Sequence, residues 1–125
     1  VVAESGSGVA EKIWREAEQV WAWAWLSVEV DAALIRRKAT PAQWSVWRDL
    51  EEQIQWTHLR PDELAALRSM NRGIGLRSAD AGHVYVFEEF HARIPDLHMV
   101  TFDREMAAAV KALGLTLHPD CDGKG

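Results

Sequence analysis
The chain has 125 residues, 48% of them hydrophobic, with a formal net charge of −5 and a pI of about 5.5. That size predicts one ordinary core and not two. The acidic balance excludes a broad electrostatic footprint for nucleic acid, although a carboxylate cluster that held metal would itself be acidic. Cys121 is the single cysteine, so a disulfide framework or a Cys-rich zinc site within the chain is excluded and a reducing, cytoplasmic setting is expected. No apolar run approaches the ~20 residues that span a bilayer, so no membrane partner is expected. The opening VVAESGSGVAEK lacks a secretory pattern and an initiator Met, and reads as a fragment or a late start.

In chain order, Val1–Ala3 is short and apolar, and Glu4–Gly8 reads as a flexible loop. Val9, Ile13, Ala17 and Val20 then recur on one face of a predicted helix. Trp21–Leu26, WAWAWL, alternates Trp and Ala. Period two with aromatics predicts a strand, and its two apolar faces predict a central, helix-covered one. Its rings are read as core in preference to a base-stacking platform.

Ser27 is the expected cap of a helix holding Val28, Ala32, Leu34 and Ile35, with Glu29 in its first turn and Arg36–Lys38 at its end. Thr40 and Pro41 restart a helix as cap and first residue, and Trp44, Trp47, Leu50 and Ile54 line it. Ile54–Leu59 predicts a short strand, Pro61–Met70 a helix, and Asn71–Arg77 a glycine-containing loop. Ser78–Ala92 predicts a helix capped by Ser78, with Asp80 in its first turn. His98–Phe102 reads as a buried parallel strand and Arg104–Leu113 as an Ala-rich helix closed by Gly114. Leu115–Leu117 is a last short strand, and 120–125 is expected to be a flexible tail. The alternation predicts one α/β domain on a parallel sheet over 1–119.

Three acids share one kind of address. Glu29 follows the first predicted strand, Asp103 follows the third, and Asp80 opens a helix. In a parallel α/β unit, strand carboxyl ends and helix starts lie on the same rim, where ligands bind. Carboxylates gathered there suit a hard divalent cation, which can assist phosphodiester hydrolysis. The competing reading makes each acid a helix-start charge favoured by the dipole. His83, one turn beyond Asp80, could touch substrate or be a satisfied half-buried histidine. The other histidines have no metal-ligand spacing. Trp44 and Trp47 could serve the core or a partner surface.

Three segments resemble the PIN-domain family of the VapC toxin type: WLSVEVDAALIRR with its S-x-E-V, RSADAGHVYVF with its D-A-x-H, and HMVTFDREMAAAVKALGL with its V-T-F-D and closing A-L-G-L. The resemblance implies a three-layer α/β/α fold with a short parallel sheet. It also implies a metal-dependent ribonuclease with RNA as substrate. It would place Mg²⁺ or Mn²⁺ on Glu29, Asp80 and Asp103, which would be the catalytic residues. A small antitoxin and a homodimer are the implied partners. The family's opening central strand and its acid have no counterpart in this chain. The alternative is therefore a catalytically incomplete PIN-like binding module acting through antitoxin or dimer contacts. Some other Mg²⁺-dependent α/β phosphohydrolase is a third reading.

Overall fold
The computed structural model describes residues 7–121, as a mixed α/β and mostly helical chain. Its one named sheet among the described residues has two parallel strands. The chain divides into two compact units, Val1–His58 and Leu59–Gly125. Where composition predicts one core, buried residues form two clusters, one in each unit.

The first unit runs α1 (Ser7–Glu16), β1 (Val20–Trp23), α2 (Trp25–Arg36), α3 (Pro41–Gln53) and β2 (Ile54–Thr57). The two strands pair in register from Val20 opposite Ile54 to Trp23 opposite Thr57. Two helices connect them, as a parallel pair requires a crossover. Val30, Leu34, Trp47 and Ile54 form the buried centre, with Trp14, Leu26, Trp44 and Trp56 packed around it. Trp47 is only 2% exposed. Its indole nitrogen donates to Asp31 Oδ1 at 3.0 Å, so the burial leaves no polar orphan. Thr57, the one buried polar side chain among the described residues, donates to the Ala22 carbonyl oxygen at 3.1 Å.

Local sequence chemistry explains α3. Thr40 Oγ1 accepts from the Gln43 amide at 3.2 Å, and Gln43 Oε1 accepts from the Thr40 amide at 2.9 Å. This is a reciprocal capping box with Pro41 at the first turn.

Several boundaries in this unit differ from expectation, among them β2, which ends at Thr57 instead of Leu59. The predicted first helix ends at Glu16, and Val20 opens the strand instead. Val1–Ala3 and residues 4–6 of the predicted loop lie outside the described residues, whereas Ser7 and Gly8 already belong to α1. The WAWAWL strand stops at Trp23, and Trp25 and Leu26 are helical. The cause is the end of its partner: β2 finishes at Thr57, whose carbonyl still accepts from the Ala24 amide at 2.7 Å. Beyond that rung the backbone satisfies itself by coiling. Ser27 is consequently not a cap. It sits inside α2 and donates its hydroxyl to the Ala24 carbonyl at 2.7 Å.

The second unit holds a short 3₁₀ turn at Pro61–Glu63, then α4 (Leu64–Ile74), α5 (Ser78–His91), α6 (Arg104–Ala112) and a closing 3₁₀ turn at Pro119–Cys121. Its buried centre is Leu76, Ala81, Val84, Met106, Ala109, Val110 and Leu117. Val84 of α5 and Val110 of α6 are fully buried.

α4 runs four residues past the predicted end, through Asn71 to Ile74, and shortens the predicted loop to its last three residues. Gly75 ends it in the left-handed region at φ 77°. The Asn71 amide clamps the exit. Its Oδ1 accepts from the Leu76 amide at 2.8 Å, and its Nδ2 donates to the Leu76 carbonyl at 2.9 Å. α5 has Arg77 as its flanking residue, so Ser78 is the first helical residue and makes no cap bond. α6 closes as expected. The Gly114 amide donates to Lys111 O and the Leu115 amide to Val110 O, each at 3.0 Å, with Gly114 at φ 72°.

The two strands predicted in this unit are reduced to a single parallel bridge, Met99 opposite Leu117. Met99 donates to Thr116 O and accepts from the His118 amide, both at 2.8 Å. Val100 and Phe102 are exposed. An apolar run becomes a strand only where a neighbour supplies a ladder of bonds, and here one residue has that neighbour. Of the predicted tail, Asp120 and Cys121 are ordered into the closing turn, and 122–125 lie outside the described residues.

Candidate functional site
Asp80 and Asp103 fall at helix starts, whereas Glu29, expected in the first turn of its helix, lies beyond the first turn of α2 because α2 already opens at Trp25, and His83 lies one turn further into α5. Glu29 lies just over one turn into α2, behind the carboxyl end of β1, and is half-buried. Asp80 is in the first turn of α5 and half-buried, and His83 follows on the next turn, also half-buried. Asp103 is exposed and caps α6, its Oδ1 accepting from the Met106 amide at 3.0 Å. Thr101 Oγ1 accepts from the Asp103 amide at 3.1 Å and so holds the backbone of the cap.

Two of these roles satisfy helix physics outright. Asp80 faces the positive end of the α5 dipole, and Asp103 fills one of the four amides that every helix start leaves open. Glu29 belongs to the first unit, and Asp80 and Asp103 to the second. Glu29, Asp80 and His83 each have further bonding or electrostatic neighbours. Among the described residues, no three His, Cys, Asp or Glu side chains converge closely enough to hold a metal ion. The donor chemistry is all oxygen, which suits Mg²⁺ or Mn²⁺.

Several features at these rims were not foreseen from the sequence. Trp25 was read as core and is 46% exposed. Its ring stacks on that of Trp23, with centroids 6.1 Å apart and planes 27° from parallel. Both stand at the carboxyl end of β1, with Glu29 four residues further along α2. Helical spacing could have revealed this: Trp25, Glu29, Ala32 and Arg36 recur every three or four residues. Val28 and Ile35 are exposed beside that row.

The amino ends of β1 and β2 border a groove of about 350 Å³ lined by Trp14, Glu18, Gln19, Glu52, Gln53 and Gln55. Trp14 Nε1 donates to Gln53 Oε1 across it at 3.2 Å. Two carboxylates among neutral amides make it unsuited to phosphate.

In the second unit, the Tyr85 hydroxyl donates to Glu63 Oε1 at 3.4 Å, and Glu63 Oε2 accepts from the Arg60 amide at 2.8 Å. Burial, followed by the charges of Glu89 and Glu63, pushes the Tyr85 phenol above its ordinary value. The His98 and His118 rings meet edge to face at 6.0 Å, and His118 Nδ1 accepts from the Asp120 amide at 3.1 Å.

No helix among the described residues is long and apolar enough to cross a membrane. No protein-family model matches the chain, and no curated protein or solved structure shows significant similarity to it.

Proposed function
We propose that this chain is a PIN-like, metal-dependent ribonuclease of the toxin type, with a three-layer α/β/α fold. The observation that carries the reading is the placement of the acids within the three segments that resemble the family: Asp80 in the first turn of α5, Asp103 at the cap of α6, and Glu29 in α2 beyond its first turn. The parallel pairing of β1 with β2 agrees with such a sheet. The resemblance assigns Mg²⁺ or Mn²⁺ to Glu29, Asp80 and Asp103; among the described residues these carboxylates form no three-ligand group, and a bound cation would supply Lewis acidity toward an RNA phosphodiester. The capping bond holds the Asp103 carboxylate through Oδ1. His83, one turn beyond Asp80, would contact the substrate.

The test is cleavage of a labelled RNA by the full chain with Mn²⁺. Cleavage that stops with EDTA and with Asp103→Asn supports the proposal. Absence of cleavage, or cleavage indifferent to both changes, overturns it.

A second reading is a PIN-like binding module that works through an antitoxin or a second copy of the chain. The exposed apolar residues of α2, led by Ile35 at 66%, favour it. A concentration-independent monomer mass in solution, together with active cleavage, would remove its support.

A further inference from the structure
We infer that the groove at the amino ends of β1 and β2 binds a small organic diammonium ion. The groove lies at the opposite end of the strand pair from Glu29, which follows the carboxyl end of β1, and the ribonuclease reading makes no use of it.

The walls come from two places in the first unit. Trp14, Glu18 and Gln19 line one side, from the last turn of α1 to the start of β1. Glu52, Gln53 and Gln55 line the other, from the end of α3 into β2. The volume of about 350 Å³ falls in the range of small-molecule sites. An inorganic ion the size of a water molecule would fill only roughly 30 Å³ of it. Among the described residues, no three His, Cys, Asp or Glu side chains stand ready to hold such an ion.

Three observations choose the charge and chemistry of the occupant. First, the pinned polar groups have their donors spent and acceptors to spare. Trp14 Nε1 donates to Gln53 Oε1 at 3.2 Å, and Gln53 Nε2 donates to the Asp49 carbonyl at 3.3 Å. Gln19 Oε1 accepts from Trp21 Nε1 at 3.2 Å. A carboxamide oxygen carries two lone pairs, so Gln19 and Gln53 each keep one for a ligand that donates. Second, each wall supplies one carboxylate, Glu18 and Glu52, and no Lys or Arg is among the described lining residues. Third, α1 ends at Glu16 and α3 at Gln53, so the groove borders the negative ends of two helix dipoles. An anion meets repulsion on both walls. A cation with N–H donors meets opposite charge and open acceptors, and two carboxylates on opposite walls match two ammonium groups. Trp14, packed on the first unit's core and fixed by its indole bond, supplies an apolar wall for the methylene chain between them. Its ring also attracts a cation that comes near.

The test uses the full chain in metal-free buffer, with putrescine as the probe and isothermal titration calorimetry as the readout. Wild type is compared with Glu18→Gln, Glu52→Gln and the double variant. Both positions are exposed, so the variants should melt with wild type. The expected result is saturable binding to wild type with a Kd of about 1 mM or tighter. Each substitution should raise that Kd roughly 2- to 5-fold, and both together roughly 4- to 25-fold. Added salt should weaken binding, because the carboxylates are exposed. Tetramethylammonium, a cation without N–H donors, should bind more weakly than putrescine. The indole N–H resonance of Trp14, assigned by its loss in Trp14→Phe, should shift during the titration.

Absence of saturable binding overturns the inference, and so does a Kd indifferent to both substitutions. Tetramethylammonium binding as tightly as putrescine overturns the argument from acceptors and the diammonium assignment with it. Displacement of putrescine by an equal concentration of Mg²⁺ assigns the groove to an inorganic ion and also overturns the inference. The ribonuclease reading is tested separately by RNA cleavage and survives each of these failures.

Discussion

Replacing Asp103 in two ways separates its structural role from its chemical one. Asp103→Ala removes the acceptor that the Met106 amide finds at 3.0 Å. An N-cap loss of this kind costs about 1 kcal/mol. For a unit of this size that lowers the melting midpoint by roughly 4–8 °C. Asp103→Asn keeps the cap, because Asn and Asp are nearly equal there, but removes the negative charge. Melting followed by far-ultraviolet circular dichroism should therefore place Asn close to wild type and Ala well below. The same melts with Mn²⁺ test the ligand role. At a concentration of roughly 100 Kd, a cation that binds only the native state adds about 2.7 kcal/mol. Wild type should gain that increment and both variants should lose most of it. If Asp103→Ala melts with wild type, the capping argument is wrong. If Mn²⁺ stabilises Asp103→Asn as much as wild type, Asp103 is not a ligand.

Further expectations follow from the fold. Gly73→Ala, inside α4, should stabilise by about 0.5–1 kcal/mol in urea titrations. Gly75→Ala should destabilise by about 1–2 kcal/mol, because its φ is 77° and a side chain there is strained even though no heavy atom lies within 4 Å of the added carbon. Val84→Ala and Val110→Ala, each at a fully buried site, should each cost about 2–3 kcal/mol. Tyr85 is the only tyrosine, so its ionisation can be followed by phenolate absorbance. Its folded value is raised, so the stability it contributes is complete below the unfolded value of about 10 and is lost as pH rises through the folded value. Tyr85→Phe should flatten that alkaline loss, and a native titration midpoint no higher than in urea would refute the assignment.

What the sequence made legible was local. Thr40 and Pro41 mark the start of α3, to which the structure adds Gln43, and Asp103 and Gly114 bracket α6 in the same way. Both sets of bonds run between residues close in the chain. The first two strands were legible but their ends were not, because the length of a strand depends on what lies beside it. WAWAWL was read too long because the end of β2 at Thr57, far along the chain, decides where β1 stops. His98–Phe102 has the composition of a strand but a partner at Met99 alone. The error about Trp25 has the same root. Once the strand ends early, Trp25 obeys helical rather than alternating geometry, and its ring moves from the expected core to the surface. Asp80 and Asp103 could be assigned to helix starts from the sequence, because capping and dipole effects are local; Glu29 could not, because the early end of β1 moved the start of α2 back to Trp25. Whether carboxylates gather depends on long-range packing, which spacing does not encode.

The Asn71 clamp carries a consequence of another kind. Its amide meets both backbone atoms of Leu76, one as acceptor and one as donor. Hydrolysis of that amide to a carboxylate leaves the shape almost unchanged and exchanges a donor for an acceptor. The Leu76 carbonyl would then face an oxygen with no proton between them. The α4 exit therefore registers chemical ageing at one atom, and material stored long enough to lose that nitrogen should loosen there first. Asn71→Asp reproduces the aged form directly, and early amide exchange at Leu76 would report it.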